Sequence, residues 1–569
     1  MISTLPLLLL LGLPVGSLLL LLALPTTRQR LFKGLTLGTV LLQGLCVAYL
    51  WAGSAAQGAG TQVQYVWMKL HLSHWGVLAV DFQLGVDGLN IGLLALAVVV
   101  LGASALASWR MDVYPKAYFA LYLLLDALIM GSFLAMDFLL FYIFFEMSLL
   151  PVYFFIGLWG GEQRNRAAIQ FFLYTLLGAI MVLLVLIGLS LSVYDPVATG
   201  LQAGMLSPGE VATPAQLATI RHMVQTQAID PQSIVHTLSF THLQDPQNLL
   251  PDTIFRIHDA PYINGQAVRL LAFAVLFIGF GIKMAVVPFH TWLPDAHVAA
   301  PTPISMVLAG VLLKLGGYGL LRTAYSIFPE GGLYYRSEIG ALGVLSIIYA
   351  AMNATAMQDL KRMVAYASVA HMGFVLLGLA SLSYEGIHGA LYHMISHGLI
   401  TVLLFGVVGV LNDRTGDRTI AHYQGLTSRM PCYATVSIIA FAIAMGIPGS
   451  SGFIGELLIL LGVFQALGQA LPIWLGCLAT LGTLLNAIYW IWTIQRMFLG
   501  PFALRNTAHE AKLSDLTSLE YLILLPLIFL ALLLGLFPHW LLDQTTAGAS
   551  WLVTQTHTLG QSHLGEILP

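Results

Sequence analysis

Fourteen stretches of this chain are each long and apolar enough to cross a lipid bilayer, and no other feature limits its fold so tightly. They lie near 4–24, 33–52, 88–108, 117–135, 136–158, 167–193, 267–287, 302–323, 337–355, 363–381, 386–410, 433–463, 472–495 and 519–540. A helix needs about 20 residues to span the hydrocarbon core. The chain is 58% hydrophobic and only 9% charged, against about 25% charged in an ordinary soluble domain. Backbone polar groups at membrane depth must be bonded within the protein, so runs of this length are helices. The fold class is therefore an all-α polytopic membrane protein of about 14 transmembrane helices. The first run, "MISTLPLLLLLGLPVGSLLLLLAL", lacks the basic flank and small-residue cleavage site of a signal peptide and is read as a retained span.

The connections differ in charge. Fifteen of the 23 lysines and arginines, from Arg28 to Lys512, fall in odd-numbered connections; six fall in the even-numbered ones, although these include the two longest. The positive-inside rule then predicts odd connections inside and both termini outside. A net charge of −3 offers no basic surface to nucleic acid. Cys46, Cys432 and Cys477 are scattered without CxxC spacing, a pattern that suggests neither an iron–sulfur nor a zinc site. The stretch 195–265, rich in Pro, Gln, Thr and His, is the one soluble-looking insertion. Its segment "SPGEVATPAQLATIRHMVQTQ" predicts a short helix, and the whole reads as an exposed cap or partner-docking loop.

Two lysines remain inside the membrane, Lys283 and Lys314. Buried charges cost about 2.5–3.5 kcal/mol each even on the mildest scale, so they face a bundle interior or a wet cavity. Glu146 in "FFEMSLLPVYFF" and Lys283 in "GIKMAVVPFH" each precede a proline by five residues, and Glu456 follows the Pro/Gly-rich break in "GIPGSSGFIGELLIL". Proline removes a helix hydrogen bond, and discontinuous helices near the midplane are typical of transporters. Lys314 in "VLLKLGGYGLL", together with His371, His393 and His397, extends the set; the last two lie one helical turn apart. Such groups suit a proton path. The alternatives are a static Glu146–Lys283 ion pair and, for His393 and His397, a metal site that lacks a visible third ligand; no metal is expected. Asp137 is expected at a helix N-terminus, and Asp126 is left outside the path.

The blocks "FFEMSLLPVYFFIGLWGGEQRNRAAIQFFLYT", "GIKMAVVPFHTWLPDAHVAAPTPISMVLAGVLLKLGGYGLLR", "DLKRMVAYASVAHMGFVLLG" and "GALYHMISHGLITVLLFGVVGVLNDRTGDR", with the Glu456 motif, resemble the NuoM-type antiporter-like subunits of bacterial complex I, the proton-pumping NADH:quinone oxidoreductase. The resemblance covers about 85–195 and 265–500, and the long 195–265 connection departs from the family. It implies two inverted five-helix repeats, spans 4–8 and 9–13, with broken helices at spans 7 and 12. The organisation would be helices 1–3 in 1–110, the first repeat with its outer insertion in 111–330, the second in 331–500, and a last helix with an outer tail in 501–569. It also implies that Glu146 and Lys283 work as a pair, that Lys314 relays protons, and that Glu456 holds the span-12 position where sister subunits usually carry lysine. His290, Trp292, Asp295 and His297 are expected to shape a turn on the inner side.

By the same resemblance this chain binds no cofactor, and NADH, FMN, iron–sulfur clusters and quinone belong to partner subunits. Partners would be other complex I membrane subunits, above all neighbouring antiporter-like ones, in the bacterial inner membrane with both termini periplasmic. Mrp-type cation/proton antiporters and membrane-bound hydrogenase complexes share the architecture and are the competing readings.

Overall fold

The computed structural model describes residues 4–57, 61–207, 209, 211–466, 471–505 and 513–567. Twelve continuous helices in it are long and apolar enough to cross a membrane: Leu5–Ala23, Gln29–Gly53, Ile91–Arg110, Pro115–Leu134, Phe138–Trp159, Arg164–Ser190, Thr302–Ile327, Arg336–Ala356, Leu360–Ser381, Tyr384–Thr415, Ile473–Met497 and Ser518–Leu536. Two more are interrupted, Val268–Lys283 with Trp292–Ala299, and Pro431–Ala444 with Ser451–Ala466. In chain order these make fourteen spans, with the breaks in spans 7 and 12.

Spans 8, 10 and 11 form the interior; 94–100% of their most apolar windows are covered by the rest of the chain, against 28–39% for spans 1, 2, 6, 13 and 14. Lipid tails are as apolar as leucine, so helices associate in a membrane through close packing, for which small residues are needed. Two glycine pairs supply it. A Cβ on Gly178 would lie 2.6 Å from the Gly279 carbonyl oxygen, and one on Gly279 2.8 Å from that of Gly178. Gly343 and Gly373 meet in the same reciprocal way at 2.9 and 2.6 Å. Spans 6 and 7, and spans 9 and 10, therefore touch backbone to backbone.

The connections sort onto two faces. On the odd-numbered face, Lys33 pairs with Asp112, Arg362 with Asp295, Arg418 with Asp359 and Arg414 with Glu520. All but one of the fifteen basic residues assigned there by sequence are described; Lys512 lies outside the described residues. The even-numbered face carries a feature that the sequence reading omitted. Strand β1 (Thr61–His71) pairs antiparallel with β2 (Val77–Val86), and β2 pairs parallel with β3 (Val235–Thr237) from the 195–265 insertion. The insertion has a small core around Tyr194, Leu206, Ile220, Val224 and Ile229. Its helix Pro214–Gln225 forms where expected, started by a Thr213–Gln216 capping box. The tail after span 14, expected as a simple outer tail, is also helical, over His539–Gln555 and Gln561–Ile567. It is held to the even face by His563 against Glu330, by a hydrogen bond from the His557 ring to the Leu382 carbonyl, and by one from the Tyr262 hydroxyl to the Ile567 carbonyl.

Candidate functional site

The helix of span 5 is irregular for one residue at Ser148, between Phe138–Met147 and Leu149–Trp159. Pro151 lacks the N–H that would bond the Met147 carbonyl, and the Ser148 hydroxyl turns back to the Phe145 carbonyl at 2.7 Å. Glu146 lies two residues before Ser148. Its Oε2 is sealed from solvent and has no hydrogen-bond partner, yet the residue as a whole is only partly covered by this chain.

Span 7 breaks directly after Lys283, the last residue of its first half. A cation there complements the carbonyl end of the helix. The freed backbone is bonded from other elements: the Trp292 indole N–H donates to the Ile282 carbonyl at 3.0 Å, and the Val287 N–H donates to the Ser346 hydroxyl at 3.2 Å. Trp292 therefore has the turn-shaping role read from sequence, as does Asp295 through Arg362. His290 and His297 differ from them. Each is buried against an aromatic ring, Tyr349 and Phe405 respectively, with both ring nitrogens unbonded.

The Lys283 ammonium is buried and stands 4.5 Å from the centroid of the Phe145 ring, a cation–π contact. It makes no hydrogen bond, and no Glu146–Lys283 ion pair within 4.0 Å occurs among the described residues. The two groups do not touch.

Lys314 is fully buried in span 8. Its ammonium donates to the Ala309 carbonyl at 2.6 Å and lies 2.8 Å from His397 Nδ1. Ala309 belongs to a π-helical turn, Leu308–Leu312, and a second π turn follows at Leu320–Ala324. Such widened turns are frequent at functional sites. Between them, glycines let span 8 approach span 7: a Cβ on Gly316 would lie 2.8 Å from the Phe280 carbonyl oxygen.

From His397 the polar chain continues across the bundle. The His371 ring stands 5.1 Å from that of His397 and 5.3 Å from that of His393, centroid to centroid. His371 Nδ1 is 3.3 Å from His393 Nε2 and 3.5 Å from Glu456 Oε1. Glu456 reaches this point because span 12 breaks at Gly446 and Gly449, both in the left-handed region with φ of +75° and +92°, which favours glycine. The Asn486 amide donates to the freed Ala444 carbonyl at 3.1 Å, as Trp292 does for span 7. Gly455 seats the second half of span 12 against His393.

The structure thus brings Lys314, His371, His393, His397 and Glu456 together from spans 8, 10, 11 and 12, and leaves Glu146 and Lys283 as a separate group one span away. His371, His393 and Glu456 also bring one potential ligand atom each within 4.8 Å of one another. The His393/His397 pair considered from sequence does not, since His397 faces Lys314. Of the two aspartates set aside, Asp137 caps span 5 by accepting from the Leu139 and Leu140 N–H groups, and Asp126 accepts from Gln43. The unbonded ring nitrogens of His297 and the two π turns were not expected from sequence. The only sequence signal for the latter is the run of small residues around Lys314.

The family model described as "NADH:quinone oxidoreductase/Mrp antiporter, TM" matches residues 135–195 and 251–486. The gap in the match falls on the insertion. NADH-quinone oxidoreductase subunit M of Rhodobacter capsulatus is 36% identical over 497 residues, covering 86% of each chain. Among solved structures, a chain of respiratory complex I from Thermus thermophilus superposes with a TM-score of 0.74 at 28% identity, covering 97% of this chain and 99% of that one. A chain of the Mrp complex from a Dietzia species reaches 0.73 at 19% identity, covering 99% and 100%; at that identity the likeness is one of fold.

Proposed function

Given that this chain belongs to the NADH:quinone oxidoreductase/Mrp antiporter transmembrane family, we propose that its buried polar chain is the proton-carrying element of a complex I membrane subunit. The protein is a multi-pass membrane subunit of NADH:quinone oxidoreductase, and its partners are other subunits of that complex. The observation that carries the proton-path reading is the connected row Lys314, His397, His371, Glu456, supplied by four helices and sealed from lipid. A static charge pair needs two residues; this arrangement supplies successive donors and acceptors.

The chemistry follows from the atoms. Lys314 can release a proton only toward His397 Nδ1, its one side-chain neighbour within hydrogen-bond distance, because the Ala309 carbonyl only accepts. A proton accepted by His397 passes to the adjacent His371 ring, whose centroid is 5.1 Å away, and then to Glu456 or His393. Lys283 acts on this row by charge. When Glu146 or its surroundings gain or lose charge, the field at Lys283 changes, and with it the ease of protonating Lys314 on the adjoining span 8.

Glu146 is open on one side of this chain, and Met147 and Leu150 beside it are exposed. A carboxylate facing lipid is costly, so that side is the docking face for a neighbouring antiporter-like subunit. NADH, FMN, iron–sulfur clusters and quinone belong to partner subunits. The basic odd-numbered face lies toward the cytoplasm and both termini toward the periplasm of a bacterial inner membrane.

The decisive experiment replaces Lys314. In the assembled complex in vesicles, Lys314→Arg is expected to be nearly as damaging to pumping as Lys314→Met, because arginine keeps the charge but does not release a proton. A normal proton-to-electron ratio in either variant removes Lys314 from the path.

A further inference from the structure

Three donor atoms, from spans 10, 11 and 12, converge on one point between His371, His393 and Glu456. All lie within 4.8 Å of one another, and the two shortest separations, both from His371 Nδ1, are 3.3 Å to His393 Nε2 and 3.5 Å to Glu456 Oε1. If each atom bonded a metal at about 2.0–2.2 Å, neighbouring corners of a tetrahedron would be about 3.3–3.6 Å apart. One proton on His371 Nδ1 cannot serve both neighbours, and Glu456 Oε1 makes no hydrogen bond. The third edge, between His393 and Glu456, is longer but stays within 4.8 Å, so a small closing movement lets one cation satisfy all three corners at once.

From this geometry we propose that His371, His393 and Glu456 bind a divalent transition-metal ion of the zinc class, and that the bound ion blocks proton transfer along the row. The blocking half rests on the proton-path reading above; the binding half does not. Two imidazoles and a carboxylate form the donor set of zinc sites that keep a fourth position for water. Calcium and magnesium, which prefer six or more oxygen ligands, are poorly matched. The site is pre-shaped by packing: a Cβ on Gly455 would collide with His393, and one on Gly446 would lie 3.3 Å from Glu456 Oε2.

The surroundings also set the strength. Tightly held metals have ligand histidines whose second nitrogen is bonded to a carboxylate or carbonyl. His393 Nδ1 has no partner, so the ion exchanges and acts as an inhibitor rather than a permanent fixture. Lys314, one histidine away through His397, adds like charge that weakens binding further. A bound dication occupies the lone pairs that would otherwise accept a proton from His371, and its charge disfavours an incoming one.

The test measures zinc binding by the intact complex in its membrane, by equilibrium dialysis and by X-ray absorption at the zinc edge. Expected is one exchangeable zinc per complex with two imidazoles and one carboxylate in its shell. That zinc should be lost, or weakened on the order of 100-fold or more, in His371→Gln, His393→Gln and Glu456→Gln, and kept in the insertion variant His222→Gln. Lys314→Met should bind it more tightly, which a merely structural cluster does not predict. If a substitution prevents assembly, the wild-type absorption spectrum still decides, since a shell without two imidazoles overturns the site. Unchanged zinc stoichiometry in all three ligand variants overturns it too, even where they stop pumping, and then the proton path stands without the metal. Zinc bound at the site with pumping at its normal rate overturns the blocking role and the path reading on which it rests.

Discussion

Replacing Gly455 by alanine tests whether the spacing of the polar row matters. A Cβ at Gly455 would lie 2.6 Å from His393 Nδ1, 3.0 Å from its Cβ and 3.1 Å from its Cα. The last is backbone, so side-chain rotation alone does not relieve the collision, and spans 11 and 12 must part by a few tenths of an ångström to restore ordinary contact. Glu456 Oε1, now 3.5 Å from His371 Nδ1 and already too far for a hydrogen bond, is then carried further from the row. Overpacking of this kind costs about 1–3 kcal/mol. Carried by the transfer step, that slows it roughly 5- to 150-fold. The assay is proton uptake and quinone reduction measured together on assembled complex in vesicles. Gly462→Ala is the control: it collides with the Gly386 N–H at 2.3 Å between the same two spans, about 10 Å further along the helix. A Gly455→Ala complex that pumps normally, or one impaired no more than Gly462→Ala, would refute the argument, because the row would then tolerate a gap or the defect would be one of packing in general.

Glu146→Gln and Lys283→Ala are each expected to lower pumping and coupled quinone reduction together while assembly is largely kept, since the two groups share no direct ion pair whose loss would strand a partner; a double variant with a normal proton-to-electron ratio sinks this. Cysteines introduced into 200–260 or 545–567 should react with an impermeant reagent in intact cells, and labelling only after the membrane is opened reverses the topology. Burial works against ionisation of Glu330, on the even-numbered face, but Arg269 at 2.7 Å and His563 at 3.3 Å outweigh it and hold its carboxyl below the usual glutamate range. Its contribution is therefore complete above its unfolded pKa of about 4.3 and is lost as pH falls through its lower folded value. Proteolysis of the C-terminal helix should accelerate only below about pH 4, and Glu330→Gln should already be susceptible at pH 7; equal resistance of the two proteins at pH 7 contradicts the assignment.

The sequence by itself determined the spans, the two breaks and the basic face, because membrane physics acts locally. A run of about 20 apolar residues must be helix, a Pro/Gly cluster within it must interrupt it, and charges sort by face whatever the neighbours do. It also marked Glu146, Lys283, Lys314, His371, His393, His397 and Glu456, since an ionisable group at membrane depth stands out without a structure. Which of these meet was decided only by the tertiary structure. His371 and Glu456 are 85 residues apart in sequence and 3.5 Å apart in space, and the contact depends on glycines whose value lies in what packs against them. The β-sheet was overlooked for a related reason. Its strands alternate weakly beside fourteen strong helical signals, and β3 comes from an insertion some 150 residues later in the chain. Lys283 and Glu146, paired by expectation, form no contact ion pair within 4.0 Å among the described residues, because a proline near each helix end fixes where it points, and a sequence does not say how closely two such ends approach.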